Sequence, residues 1–288
     1  MIHILGTVFD DIVVGSRFKN IRYGSSNPCL IRKSCGGIEN ILSAPILEQF
    51  IRPSKLTVHA LTGIDFVYKP KACISPDINF FVHLVYKRQP ASVIFEHLPE
   101  SAESRTSFTS QDFSFSSGVV IEEVTSKVTK NTGVHDTLLI AYEDTIHSEL
   151  LHRLYKHKNF DHVLVDSCLF DISNTVIGFL NASNENLNGT ELILSLSYET
   201  ISDKQIMSLA HQSCTVLLHC PTHVDIYRNG ILSSVRNDYY IHNYKGKTNG
   251  LGDMFCALVA VFLDRRLGLV ESVKKAQSAL SQLLLNQG

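Results

Sequence analysis

Apolar residues change rhythm once along the chain. Over roughly the first 120 residues they come in short runs broken by glycine, proline and serine, at 2–5, 12–14, 29–31, 56–61, 80–86, 91–95 and 106–108. Runs of β-branched and aromatic residues bounded in this way predict strands. Gly6 between the first two runs predicts a turn, and the Gly15, Gly24 and Pro28 region predicts a hairpin over 15–34. Cys35-Gly36-Gly37 then opens helical spacing through Ile41, Leu42, Leu47 and Phe50. From about residue 137 strands and helices alternate. Strands are predicted at 138–142, 162–165, 192–194 and 215–218, with helices at 146–155, 175–180 and 202–210 between them. A hairpin follows, with Arg228-Asn229-Gly230 at its turn. Alternation of this kind implies a parallel sheet whose ligands bind at the carboxyl ends of the strands. Asp11, the Gly36-Gly37 pair and residues 250–253 all fall at such ends.

The last of these positions is chemically the richest. In Gly250-Leu251-Gly252-Asp253 a glycine turn runs straight into ten residues without a charge, 254–263, which reads as a buried helix. A helix start offers unpartnered amides and partial positive charge, and glycine lets the backbone approach an anion closely. An aspartate there can take a proton from a hydroxyl attacking a phosphate. A plain loop followed by a favourable first-turn aspartate has the same pattern. Asp11 is similarly double: it can reach a ligand hydroxyl from a strand edge or cap a turn.

Composition narrows the partners. The 288 residues hold 26 Lys and Arg against 28 Asp and Glu, and the net charge of −2 argues against a nucleic-acid partner. The 7 cysteines are scattered singly and odd in number, which fits a reduced, cytoplasmic protein better than a disulfide framework or a zinc ribbon. The histidines are dispersed too; His152 and His157 stand five apart, so local spacing argues against a histidine-built metal site. Asp10 and Asp11 break the first apolar run, which makes it a poor signal peptide, and no apolar stretch approaches the ~20 residues of a membrane span.

Several of these fragments resemble, in order, the motifs of the PfkB or ribokinase-like carbohydrate and nucleoside kinases. Gly6 with Asp11 looks like the family's first strand, whose aspartate holds substrate hydroxyls. Gly36-Gly37 with Asn40 is similar to its first signature, with one residue fewer before the asparagine. Thr62-Gly63-Ile64-Asp65 resembles its G-x-D turn, and residues 90–95 and 105–108 its lid strands. Residues 248–255 resemble the second signature, D-T-x-G-A-G-D-x-F. This chain departs from that signature at Lys247, Asn249 and Leu251, reads His219-Cys220-Pro221-Thr222-His223 where the family has a glycine pair at the nucleotide site, and has no clear asparagine-x-x-glutamate motif.

The resemblance implies an α/β, three-layer αβα fold, Rossmann-like with a mostly parallel sheet, in a single domain with lid strands at about 13–34 and 80–120. It implies ATP and Mg2+ as cofactors, with a small sugar or nucleoside as substrate. Asp253 would be the catalytic base and the amides of Gly250, Leu251 and Gly252 the anion hole. Asp11, Gly36, Gly37 and Asn40 would bind substrate, Thr248 and Asn249 the nucleotide, and Glu199 is the nearest candidate near the metal. Arg105 on the lid is a weaker candidate for a substrate carboxylate or phosphate. A homodimer through the lid is a further expectation. The departures leave a second reading, a kinase-fold protein that binds small molecules without efficient turnover.

Overall fold

The computed structural model describes residues 1–16, 29–42, 56–69, 78–85, 88–89, 91–96, 105–109, 118–130, 136–141, 153–154, 160–167, 190–197, 214–241 and 250–285. The strands are β1 (Ile2–Ser16), β2 (Cys29–Gly37), β3 (Leu56–Gly63), β4 (Ile78–Val85), β5 (Ala91–Glu96), β6 (Arg105–Thr109), β7 (Thr137–Ala141), β8 (His162–Ser167), β9 (Glu191–Ser197), β10 (Cys214–His219), β11 (His223–Arg228) and β12 (Ile231–Arg236). The helices are α1 (Ile38–Ile41), α2 (Gly118–Lys130), α3 (Leu251–Asp264) and α4 (Leu269–Leu285). The main sheet runs β12-β11-β10-β9-β8-β7-β1-β3-β4, parallel from β10 to β4 with the β11–β12 hairpin antiparallel at one edge.

The parallel strands are apolar on both faces because both are covered. Leu139, Leu164, Ile193 and Leu217 enter the core on the side of α1, α3 and α4. Their sequence neighbours, including Ile140, Val163, Leu194 and Val216, enter a second core beside α2. Successive side chains of a strand point to opposite faces, so each run of four or five apolar residues feeds two layers. The middle of α3 is buried all round, from Phe255 to Leu263, as its charge-free sequence requires. No helix among the described residues is long and apolar enough to cross a membrane.

The first strand differs from its sequence expectation. Gly6 makes no turn; β1 is one continuous strand of 15 residues. Residues 2–7 pair in parallel with β3, and residues 8–16 leave the main sheet to pair with β2, beside β5 and β6. Gly6 serves close packing instead: a Cβ there would stand 3.0 Å from the Ala141 Cβ. β4 joins the main sheet as the parallel neighbour of β3, and residues 118–120 begin α2. Three sequence readings, the helices over 146–155, 175–180 and 202–210, lie wholly or almost wholly outside the described residues. The helices α2 and α4 were not anticipated, although Ile121, Val124 and Val128 carry helical spacing and are all buried.

Candidate active site

The site is built where β1 leaves the main sheet and α3 begins. Gly250 caps α3 in the left-handed region, φ 80° and ψ 4°, which costs a glycine little. The turn opens a 14-residue helix, and Asp253 sits in its first turn, 4% exposed. Asn40, in the single turn of α1, donates from Nδ2 to Oδ2 of Asp253 at 2.8 Å. That bond joins positions 213 residues apart in sequence. It also explains Gly250 a second time, because a Cβ there would lie 2.6 Å from the Asn40 Cγ.

The other wall comes from β1, β2 and β5. Asp11 stands opposite Ser34 of antiparallel β2 and Ser92 of parallel β5. Ser92 Oγ donates to Asp11 Oδ1 at 2.5 Å, and both residues are buried. Gly36 leaves room for this carboxylate, since a Cβ on it would fall 2.0 Å from Asp11 Oδ2. Gly37 has φ 64° and carries the chain out of β2 into α1, its missing Cβ facing the Thr7 carbonyl. The double glycine was read as a helix start; it ends a strand and opens one helical turn.

The junction is held by a residue the sequence did not single out. Gln89 Oε1 accepts from the Gly63 amide at 2.6 Å, its own amide donates to Asp65 Oδ1 at 2.7 Å, and its Nε2 donates to the Val8 carbonyl at 2.6 Å. One side chain thus ties the Gly63-Ile64-Asp65 turn to the point where β1 changes sheets. A lone glutamine carries no motif, so only the fold could expose it. Tyr68 adds a short hydrogen bond to Glu39 beside Asn40.

The turn after β10 is built differently. Cys220 Sγ lies 3.0 Å from His223 Nδ1 and 3.3 Å from Thr222 Oγ1, and His223 Nε2 is 3.8 Å from Asp225. His219 packs its ring against Phe255 and lies 3.4 Å from where a Cβ of Gly252 would stand. Burial pushes its pKa down to about 4, so the imidazole is neutral at neutral pH. Thr248, Asn249 and Glu199 lie outside the described residues, as does Lys247. Arg105 is the first residue of β6, which pairs with β5.

Magnesium takes hard oxygen ligands. Besides Asp253, the carboxylate that the described strand ends bring toward α3 is Asp166 of β8, and its neighbours are the His219 imidazole and the Cys256 thiol. Nitrogen and sulfur donors do not suit a magnesium site, so the described residues here do not fit that ion.

No protein-family profile matches the chain, and no curated protein sequence matches it. Solved structures do. Ribokinase from Giardia lamblia superposes with a TM-score of 0.71 at 15% identity, covering 97% of this chain and 92% of that one. Adenosine kinase from Schistosoma mansoni in complex with 2-fluoroadenosine gives 0.65 at 12%, covering 98% and 94%. The chain has the ribokinase-like fold. Phosphofructokinase-2 from Escherichia coli, in a tetrameric inhibited form, gives 0.65 at 13%, covering 99% and 94%. The ribokinase-like architecture therefore extends over nearly the whole chain, as the order of the sequence motifs implies.

Proposed function

We propose that this ribokinase-like chain is a phosphotransferase that moves the γ-phosphoryl group of ATP, taken as its magnesium complex, to a hydroxyl of a small sugar or nucleoside. The Asn40–Asp253 hydrogen bond of 2.8 Å carries the reading. It draws the two signature segments into one site at the amino end of a helix, where a base and a phosphate must meet.

In this reading the acceptor lies between the Asp11 wall and α3. Asp253 takes the proton of the acceptor hydroxyl as its oxygen forms the new bond to phosphorus, and the bond between phosphorus and the bridging oxygen breaks to release ADP. Asn40 fixes the rotation of the Asp253 carboxylate, so the base is oriented before the substrate arrives. The amides of Gly250, Leu251 and Gly252 meet the charge on the phosphoryl oxygens. Asp11, held by Ser92 and flanked by Gly36 and Gly37, accepts from other acceptor hydroxyls. Thr248 and Asn249 are the proposed nucleotide contacts.

The test is ADP release that depends on an added acceptor, measured across a panel of sugars and nucleosides. Asp253→Asn is expected to lower that rate by about 10²- to 10⁴-fold with unchanged circular dichroism; an unaltered rate removes Asp253 from the mechanism. One observation favours a second reading. Cys220, Thr222 and His223, which stand where the family resemblance implies a glycine pair, contact one another, which suits a protein that binds a small molecule and turns over ATP poorly. No acceptor-dependent ADP release, with a small molecule still raising Tm, would select it.

A further inference from the structure

The carboxyl ends of three neighbouring strands carry polar residues on the face that α3 covers. Asp166 of β8 is two residues past Leu164, Ser195 of β9 two past Ile193, and His219 of β10 two past Leu217; those three leucine and isoleucine residues belong to the core on the α3 side. Period two along a strand puts Asp166, Ser195 and His219 on the same face. The pairing register sets Asp166 opposite Ser195 and His219 opposite Ser197. Cys256 meets them from α3, one helical turn beyond Gly252.

We propose that Asp166, His219 and Cys256 form a binding site for one divalent transition-metal ion of the zinc class, set against the sheet beside the glycine turn of α3. One ligand atom from each residue lies within 4.8 Å of the other two. Tetrahedral zinc with bonds of about 2.0–2.3 Å separates its ligands by roughly 3.3–3.8 Å, so the donors need close by no more than about 1.5 Å on binding. A carboxylate oxygen, an imidazole nitrogen and a thiolate sulfur are donors that zinc and cobalt accept together and magnesium does not. Three protein ligands leave a fourth position open.

The surroundings suit a metal. Cys256 is fully buried, and Asp166 is 3% exposed. The Cys256 thiol donates to Ser195 Oγ at 3.1 Å. A bound dication displaces the thiol proton to solvent. Ser195 then sits beside the sulfur as an outer partner. This site does not depend on the phosphotransferase reading.

The experiment uses the full-length protein stripped with a chelator and titrated with cobalt(II). The expected result is a thiolate-to-cobalt charge-transfer band that saturates at one ion per chain, is bleached by zinc and is accompanied by a rise in Tm. Cys256→Ser removes the band, and His219→Gln weakens cobalt binding by more than about tenfold. His219 is only part-buried, so His219→Gln carries the test if Cys256→Ser does not fold. Cys220→Ser retains the band. Absence of the band in the unsubstituted protein, its survival in Cys256→Ser, undiminished binding in His219→Gln, or its loss in Cys220→Ser would each overturn the proposal; the last would move the metal to the Cys220–His223 turn.

Discussion

Two turns at the same end of the sheet treat space in opposite ways. Around α3 and β2, glycines make room for functional side chains: the space of a Gly36 Cβ is taken by the Asp11 carboxylate, and that of a Gly250 Cβ by the Asn40 amide. In the turn after β10, Cys220, Thr222 and His223 fill the space and bond one another. In the proposed reading the first arrangement leaves carboxylates and helix amides for a ligand. The second leaves side chains where a phosphate would need bare backbone. Under the proposed function, acceptor and anion-hole chemistry can be kept while the donor side diverges, because separate segments build the two.

The contrast can be broken from either side. Asp11→Asn removes a charged acceptor of hydroxyl hydrogen bonds, and is expected to raise the acceptor KM by about 10- to 100-fold while leaving the ATP KM in place. Equal effects on both constants would dissolve the division into two sides.

Acid sensitivity supplies a control remote from both turns. His59 and His83, stacked on β3 and β4 with a 3.2 Å nitrogen contact, are pushed down to about 2 and about 4, in each case chiefly by burial. Glu123 opposes the shift at His83, while Lys127 adds to it at both. Folded-state values below 6.5 mean the unfolded chain binds more protons, so stability is present above that pH and is lost as pH falls from 6.5 toward 4. For His83 alone the loss between about pH 7 and pH 5 is on the order of 2 kcal/mol, readable by urea titration. His83→Leu should flatten that slope without altering the acceptor KM.

Gly250→Ala tests the crowded side by stability. A left-handed φ costs an alanine about 1–2 kcal/mol, and its Cβ must also push Asn40 away from Asp253. Chemical denaturation measures the first effect and kcat the second; a variant equal to the parent in both would mean that the turn relaxes freely. The smallest expected effect belongs to the filled turn. Cys220→Gly combined with His223→Gly should tighten ATP binding by about tenfold, roughly 1.4 kcal/mol by calorimetry. Unchanged affinity would show that those side chains do not obstruct the donor.

Much of this architecture was legible in short-range pattern. The strands predicted at 138–142, 162–165, 192–194 and 215–218 appear as β7 to β10 within two residues at most edges. Their apolar runs serve two faces at once, which only a covered parallel sheet requires. The Arg228-Asn229-Gly230 turn forms, with φ 51° at Asn229 and 76° at Gly230. Gly6 misled, because a glycine that permits a turn and one that permits close packing look the same in sequence. Gln89 was silent, since its three bonds go to backbone and carboxylate groups from unconnected segments.

The sequence by itself determined the alternation of strands and helices, the buried helix after Asp253 and the residue types at its start, because periodicity and glycine conformation act over a few neighbours. Tertiary structure alone decided that Asn40 would orient Asp253, that Ser92 would hold Asp11, and that Asp166, His219 and Cys256 would converge. Those contacts join segments up to 213 residues apart, and sheet order and register, not local pattern, set which strand ends stand side by side.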